Sequence, residues 1–314
     1  MNAAGRLGLY AAGVAVAFAG AYGIAGAVVP ESWVTDWKDG GTMQDHSGMD
    51  MSGNAGSTTD TALPGLSISA DGYLLSPVTA PTGVGEAGEL SFRILDAAGE
   101  PLTAFETAHE KDLHLIVVRS DGSQFRHDHP TLDATTGTWS IPWTWDEAGS
   151  YRVYTDFVPD VTDGPDKVVL SRSVEVAGDV TPTPATEQRT SDTVDGFEVT
   201  LDGQLVAGAS SELAISVSRD GVPVTTLEPY LGAFGHLVAL REGDLAYLHV
   251  HAEGDEPKAG ETAGPEVRFA ATAPTAGRYL LYLDFQVDGQ VRTATFVVDA
   301  AQGAADGTNT SAAH

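Results

Sequence analysis

The sequence predicts an all-β protein with two tandem β-sandwich domains behind an N-terminal transmembrane helix. Three observations carry that expectation. With 36 Gly and 16 Pro among 314 residues, and Val, Thr and Tyr gathered in short runs, the chain favours many short strands over helices. One histidine pattern and one closing Gly-x-Tyr phrase each occur twice. The first 36 residues also hold a long uncharged apolar run.

That run, Leu7 to Val29, is rich in Ala, Val and Gly and approaches the ~20 residues a bilayer crossing needs. Arg6 precedes it while Glu31 and Asp36 follow, so the charge bias puts the N-terminus inside and the rest outside the cytoplasm. The expectation is a single-pass cell-membrane anchor within residues 1–36. Secretion after signal cleavage is the alternative, because Ala25-Gly26-Ala27 offers a small-x-small site. Residues 37–64 are Gly-, Ser-, Thr- and Asp-rich and read as a flexible linker. Met43, His46, Met49 and Met51 place three of the four methionines within nine residues of it. Thioether sulfur suits Cu(I) and imidazole suits copper or zinc, so this tract is an accessory metal candidate.

Residues 65–179 and 191–299 form the two expected domains, with a Thr/Pro-rich spacer at 180–190 and a disordered tail at 300–314. Glu89-Leu-Ser-Phe-Arg-Ile-Leu and Glu212-Leu-Ala-Ile-Ser-Val-Ser alternate as half-buried strands do, each before a turn. From Glu89 to His114 is 25 residues and from Glu212 to His236 is 24, so the halves align with a one-residue gap. Ile141, Trp143 and Trp145 share one side of another strand. The phrases Gly149-Ser-Tyr151 and Gly277-Arg-Tyr279 suit an immunoglobulin-like sandwich with a tyrosine corner. Closed barrels use similar strand patterns.

The histidines carry the chemistry. His114 is followed 13 residues later by His127-x-His129, and His236 is followed 13 residues later by His249-x-His251. Asp121-Gly122 predicts a two-residue type I′ hairpin, whose register sets His114 opposite His129 with His127 on the same face. Opposed Cβ atoms lie about 5 Å apart, within reach of one ion. Gly243-Asp244, read as a type II′ loop, sets His236 opposite His251 in the same way. Two related metal sites are expected, although an isolated strand histidine is more often simply hydrogen-bonded. His109 adds a further imidazole to the first site, where the second half has Leu231. Asp156 and Asp284 sit in apolar strands and would complete a metal shell, orient a histidine, or hydrogen-bond at a strand end.

His109-Glu-Lys-x-Leu-His114-Leu-Ile-Val-Val, His127-x-His129-Pro and Gly-x-Tyr…Asp-Phe together resemble extracytoplasmic YtkA-like proteins, β-sandwiches similar to CopC-type copper carriers. His46-Ser-Gly-Met49-Asp-Met51 resembles the Met/His tracts of bacterial copper-resistance proteins. The resemblance covers roughly residues 89–175 well and the second repeat more loosely. It implies a cupredoxin/CopC-like sandwich and copper as the metal. CopC-type proteins usually carry a Cu(II)-binding histidine near the mature N-terminus; its absence here leaves Cu(I) and Cu(II) both open.

A net charge of -28 argues against nucleic acid as a partner. The absence of cysteine excludes thiolate zinc, iron–sulfur and Cys-containing blue-copper sites. No Ser/His/Asp set, phosphate loop or catalytic carboxylate pair stands out, so the expectation is a binding protein and not an enzyme. A mononuclear oxygen-activating copper site is the catalytic alternative. The leading expectation is a membrane-anchored, extracytoplasmic copper protein for buffering, resistance or delivery, with zinc a weaker candidate and the protein partner unknown. The rival is an immunoglobulin-like interaction ectodomain whose histidines are structural.

Overall fold

The computed structural model describes residues 63–303 apart from 163, 249 and 259. The apolar run at Leu7 to Val29 and the Met/His tract lie outside the described residues. Among the described residues no helix is long and apolar enough to cross a membrane.

The first repeat comprises β1 (Ser69–Ala70), β2 (Tyr73–Leu75), β3 (Gly88–Leu95), β4 (Phe105–Glu106), β5 (His114–Arg119), β6 (Arg126–Asp128), β7 (Thr131–Asp133), β8 (Thr138–Trp143), β9 (Gly149–Pro159) and β10 (Val168–Val176). The second comprises β11 (Ser191–Val194), β12 (Phe197–Gly203), β13 (Ser210–Arg219), β14 (Val222–Pro223), β15 (His236–Arg241), β16 (Tyr247–Leu248), β17 (Val250–Ala252), β18 (Glu266–Thr272), β19 (Gly277–Val287) and β20 (Gln290–Ala300). Each repeat makes two antiparallel sheets. In the first these are β1-β2-β3-β8-β7 and β10-β9-β5-β6; in the second, β11-β12-β13-β18-β17 and β16-β15-β19-β20. Alternating side chains from the paired sheets close one core per repeat: Leu90, Phe92, Trp143 and Phe157 in the first, Phe197, Ile215, Phe269 and Phe285 in the second. Tyrosine corners brace both sandwiches, with Tyr151 Oη donating to the Glu147 carbonyl at 2.8 Å and Tyr279 Oη to that of Thr275 at 2.7 Å.

A third core decides the arrangement. Ile116, Val118, Tyr154 and Val169 of the first repeat pack with Val238, Leu240, Leu245, Tyr247, Leu280, Tyr282 and Val297 of the second. Strand side chains alternate, so Leu115 and Val117 fill their own sandwich while Ile116 and Val118 face the other repeat. All of β5 is therefore buried. Both sandwiches fall within one compact unit, Thr61–His314.

The contact is reciprocal, as in a two-fold isologous interface. Tyr154 Oη donates to the Leu245 carbonyl at 2.6 Å, and Tyr282 Oη donates to the Gly122 carbonyl at 2.6 Å. Phe125 stacks on Tyr282, while Tyr247 packs against Tyr154. A substitution at Gly122 is strained: its φ is +84°, and a Cβ would lie 2.4 Å from Leu280 Cδ1 of the other repeat, which would have to shift. Segment 180–190, expected as a free spacer, is instead bound at this seam. Thr183 N–H donates to Asp121 and Arg278 to the Ala185 carbonyl.

Both hairpin turns differ from expectation, yet both ladders keep the expected register. Gly122 N–H donates to the Arg119 carbonyl and Arg119 N–H to that of Ser123, a wider turn with glycine left-handed. A bulge at Gln124, φ +54°, then restores the offset, so Ile116 pairs with His127 and Val117 with Arg126. In the second repeat a loop from Glu242 to Leu245 is closed by Arg241 N–H donating to the Ala246 carbonyl. Widening a loop by one residue on each side preserves pairing, and Ala239 pairs with Leu248.

Because the tyrosine hydroxyls are reciprocal, Tyr154→Phe and Tyr282→Phe should destabilise by similar amounts. Each leaves a buried carbonyl unpaired, costing about 1–3 kcal/mol. Urea unfolding checks this; a loss confined to one variant would contradict the two-fold character of the seam.

Candidate metal centre

The histidines fall where the strand period puts them. His114 shares the face of Ile116 and Val118, and His236 that of Val238 and Leu240, so both point into the seam. Each lies opposite an aspartate in its own ladder, His114 against Asp156 and His236 against Asp284. Sandwiches meeting face to face therefore bring equivalent histidines together. The rings of His114 and His236 lie 5.5 Å apart at an interplanar angle of 6°.

His114, His127 and His129 each offer one nitrogen, and these lie within 4.8 Å of one another. His114 Nδ1 is 3.0 Å from His127 Nε2 and 3.2 Å from His129 Nε2. The outward partners assign the tautomers. His114 Nε2 is 3.1 Å from the Ala108 carbonyl, which can only accept, so the proton is on Nε2 and Nδ1 is bare. His127 Nδ1 is 2.8 Å from Asp284 Oδ2 and donates to that carboxylate, which turns Nε2 toward His114. The nitrogens of His114, His127 and His129 thus converge on one point, His114 Nδ1 facing both of the others. Imidazoles at ~2.0–2.1 Å around a tetrahedral ion have nitrogens about 3.3 Å apart, close to the observed spacing. The residues fit a metal.

Burial first, and the neighbouring His127 second, hold His114 down to about 4; the same two causes hold His129 down to about 3. Burial likewise lowers His236 well below the usual histidine range. These three rings are thus neutral at physiological pH, as ligation requires.

Asp284 carries the orienting role across the seam: it belongs to the second repeat but accepts from His127 of the first, and its other oxygen accepts from Thr293 at 2.6 Å. Asp156 is engaged in the opposite sense, by Lys167 at 2.8 Å and by Tyr247 Oη of the second repeat at 3.2 Å. His109 lies beside the group, its ring 6.1 Å from that of His114 and 5.7 Å from that of His236.

The expectation of two separated sites needs correction. After Leu248 the chain leaves its sheet, and β17 pairs with β18 of the other sheet, setting exposed His251 opposite Ala270 and outside the three-histidine group. In the first repeat β6 stays in register through Asp128, so His127 and His129 remain beside His114. His249 lies outside the described residues, as do Met43, His46, Met49 and Met51. The sequence reading missed the contribution of the second repeat to one shared cluster. Its signal was the unbroken apolar runs Leu115–Val118 and Leu237–Leu240, the mark of strands buried on both faces.

Two β-sandwiches sharing a histidine cluster at their seam define the class. The chain belongs to the family of a domain of unknown function, DUF8832, whose model matches residues 68–166 and 192–302. No curated protein matches it. Among solved structures, Salmonella alpha-2-macroglobulin reacted with methylamine is similar at 15% identity and a TM-score of 0.25, over 76% of this chain. This chain spans only 15% of that protein's length. The D0-D1 domain of intimin is similar at 11% identity and a TM-score of 0.20, over 71% of this chain and 98% of that one. Domains 5-6 of the S-layer protein SbsC are similar at 12% identity and a TM-score of 0.20, over 73% of this chain and 99% of that one.

The depressed histidines set a pH dependence for the metal-free protein. Above pH ~6.5 the folded and unfolded chains are both neutral at these positions, so stability is full. As pH falls, the unfolded chain takes up protons that folded His114 refuses until about 4 and His129 until about 3. Stability should therefore decline from pH ~6.5 downward. Urea midpoints measured at pH 7.5 and pH 5 should differ in that direction, and less so in a His114→Asn/His129→Gln variant.

Proposed function

We propose that this protein binds copper outside the cytoplasm, for buffering, resistance or delivery, and is held at the cell membrane by its N-terminal segment. The observation that carries this reading is the convergence of one nitrogen each from His114, His127 and His129 within 4.8 Å, with His114 and His127 each held by a partner behind the ring. Three convergent imidazoles suit copper or zinc. Copper is favoured by the Met/His tract at residues 43–51, whose thioethers suit Cu(I). The tandem sandwiches with tyrosine corners agree with an immunoglobulin-like, cupredoxin/CopC-like architecture of the YtkA kind. The role is binding and not catalysis, with the ion as cargo.

Copper content and competition titration of the purified chain test this. One tight equivalent is expected. His127→Ala/His129→Ala should weaken it at least ~100-fold, since two of three ligands are lost, while His251→Ala should leave it unchanged; loss of even an orienting contact typically costs 10–100-fold. A wild-type protein that takes up no copper, or a double variant that binds as tightly, would return the histidines to a structural role in an interaction ectodomain.

A further inference from the structure

We propose that His236 of the second repeat supplies a fourth imidazole to the ion held by His114, His127 and His129, so that the metal bridges the two sandwiches. The inference rests on the metal-binding reading above and adds the missing side of the coordination shell.

Ring positions carry it. In a tetrahedral site each imidazole centroid lies about 3.2 Å from the ion, which sets the centroids of any two ligands about 5.2 Å apart. The three convergent histidines obey this spacing, with separations of 5.3, 5.0 and 4.9 Å. His236 obeys it too, at 5.5 Å from His114 and 4.9 Å from His127. Its ring thus keeps a ligand's spacing to two of the three, His114 and His127. His109 is farther from His114, at 6.1 Å, and sits on an exposed residue at the margin of the cluster.

His236 is also the ring with most to gain. His114 and His127 each have a carbonyl or carboxylate behind them. The His236 ring makes no such hydrogen bond among the described residues, and its ring–ring contacts are with His109, His114 and His127. Its nitrogens stand outside the group that lies within 4.8 Å, so ligation requires a rotation about its own side-chain torsions. That rotation breaks no hydrogen bond among the described residues. His236 is half-buried, and a metal bond would give its ring a polar partner. Four nitrogen ligands close the sphere, the arrangement of a site that holds its ion and offers no open position for substrate. Because two repeats supply the ligands, occupancy would also tie one sandwich to the other across the seam.

The test uses the full chain and Zn(II) as a tetrahedral, diamagnetic probe, with histidine ring 15N resonances as the readout. At one equivalent, ring nitrogens of His114, His127, His129 and His236 should all move to metal-bound positions, while His251 stays. His236→Phe keeps a ring in the seam, and its fold is checked by circular dichroism. It should lower Zn(II) affinity at least tenfold, the lower end of what loss of a mere orienting contact costs. If the first three rings shift while His236 does not, and His236→Phe binds as tightly as wild type, the bridge is overturned and the three-histidine site stands. If no ring shifts, the metal-binding reading falls and the bridge falls with it.

Discussion

Burial of the β5–β9 and β15–β19 sheets on both faces is the constraint from which the rest of the structure follows. A sandwich needs only one apolar face per sheet, and the outer face of an antiparallel sheet is ordinarily solvated. Here the outer faces carry Ile116, Val118 and Tyr154 in one repeat and Val238, Leu240 and Tyr282 in the other. Full burial of one such aliphatic side chain is worth roughly 1.5–3 kcal/mol. That drives the two repeats together and holds segment 180–190 against the seam. Tyrosine hydroxyls, the hairpin glycine and aromatic stacking then fix the register of one sandwich on the other.

The polar groups of the seam owe their environment to that packing. Histidines and aspartates lie on the same strand faces as the apolar residues, just past their ends, so docking removes them from water together. Each aspartate is satisfied partly from the other repeat, Asp284 by His127 and Asp156 by Tyr247. Breaking the docking would strand buried carboxylates, whose cost is high without a partner. The same contacts set histidine chemistry: burial disfavours the charged forms of His114, His129 and His236, and Asp284 and the Ala108 carbonyl orient the rings of His127 and His114.

The repeats are related without being equivalent. His109 and Leu231 occupy matching left-handed positions, at φ +50° and +55°, yet one is an exposed imidazole and the other a buried aliphatic. The strand after the second hairpin leaves its sheet sooner, which carries His251 to another edge. A symmetric scaffold thus holds an asymmetric cluster, with three convergent nitrogens from one side and an orienting carboxylate from the other.

Much of the local structure was legible from sequence, because local rules decide it. Alternation marked the strands, Gly-x-Tyr marked both corners, and the hairpin count set His114 opposite His129 even though both turns are of other types. The register survived because a bulge at Gln124 and a symmetric widening near Gly243 each preserve the pairing offset. The site was legible only in part. Spacing within one hairpin brought His114, His127 and His129 together, but nothing local relates His127 to Asp284, 157 residues away. Nor does hairpin counting reveal that β17 changes sheets. By itself the sequence determined strands, register and the residue types available for a metal. Only the tertiary structure decided that the outer faces are buried against each other, because that burial depends on the summed fit of two surfaces and not on any one strand's pattern.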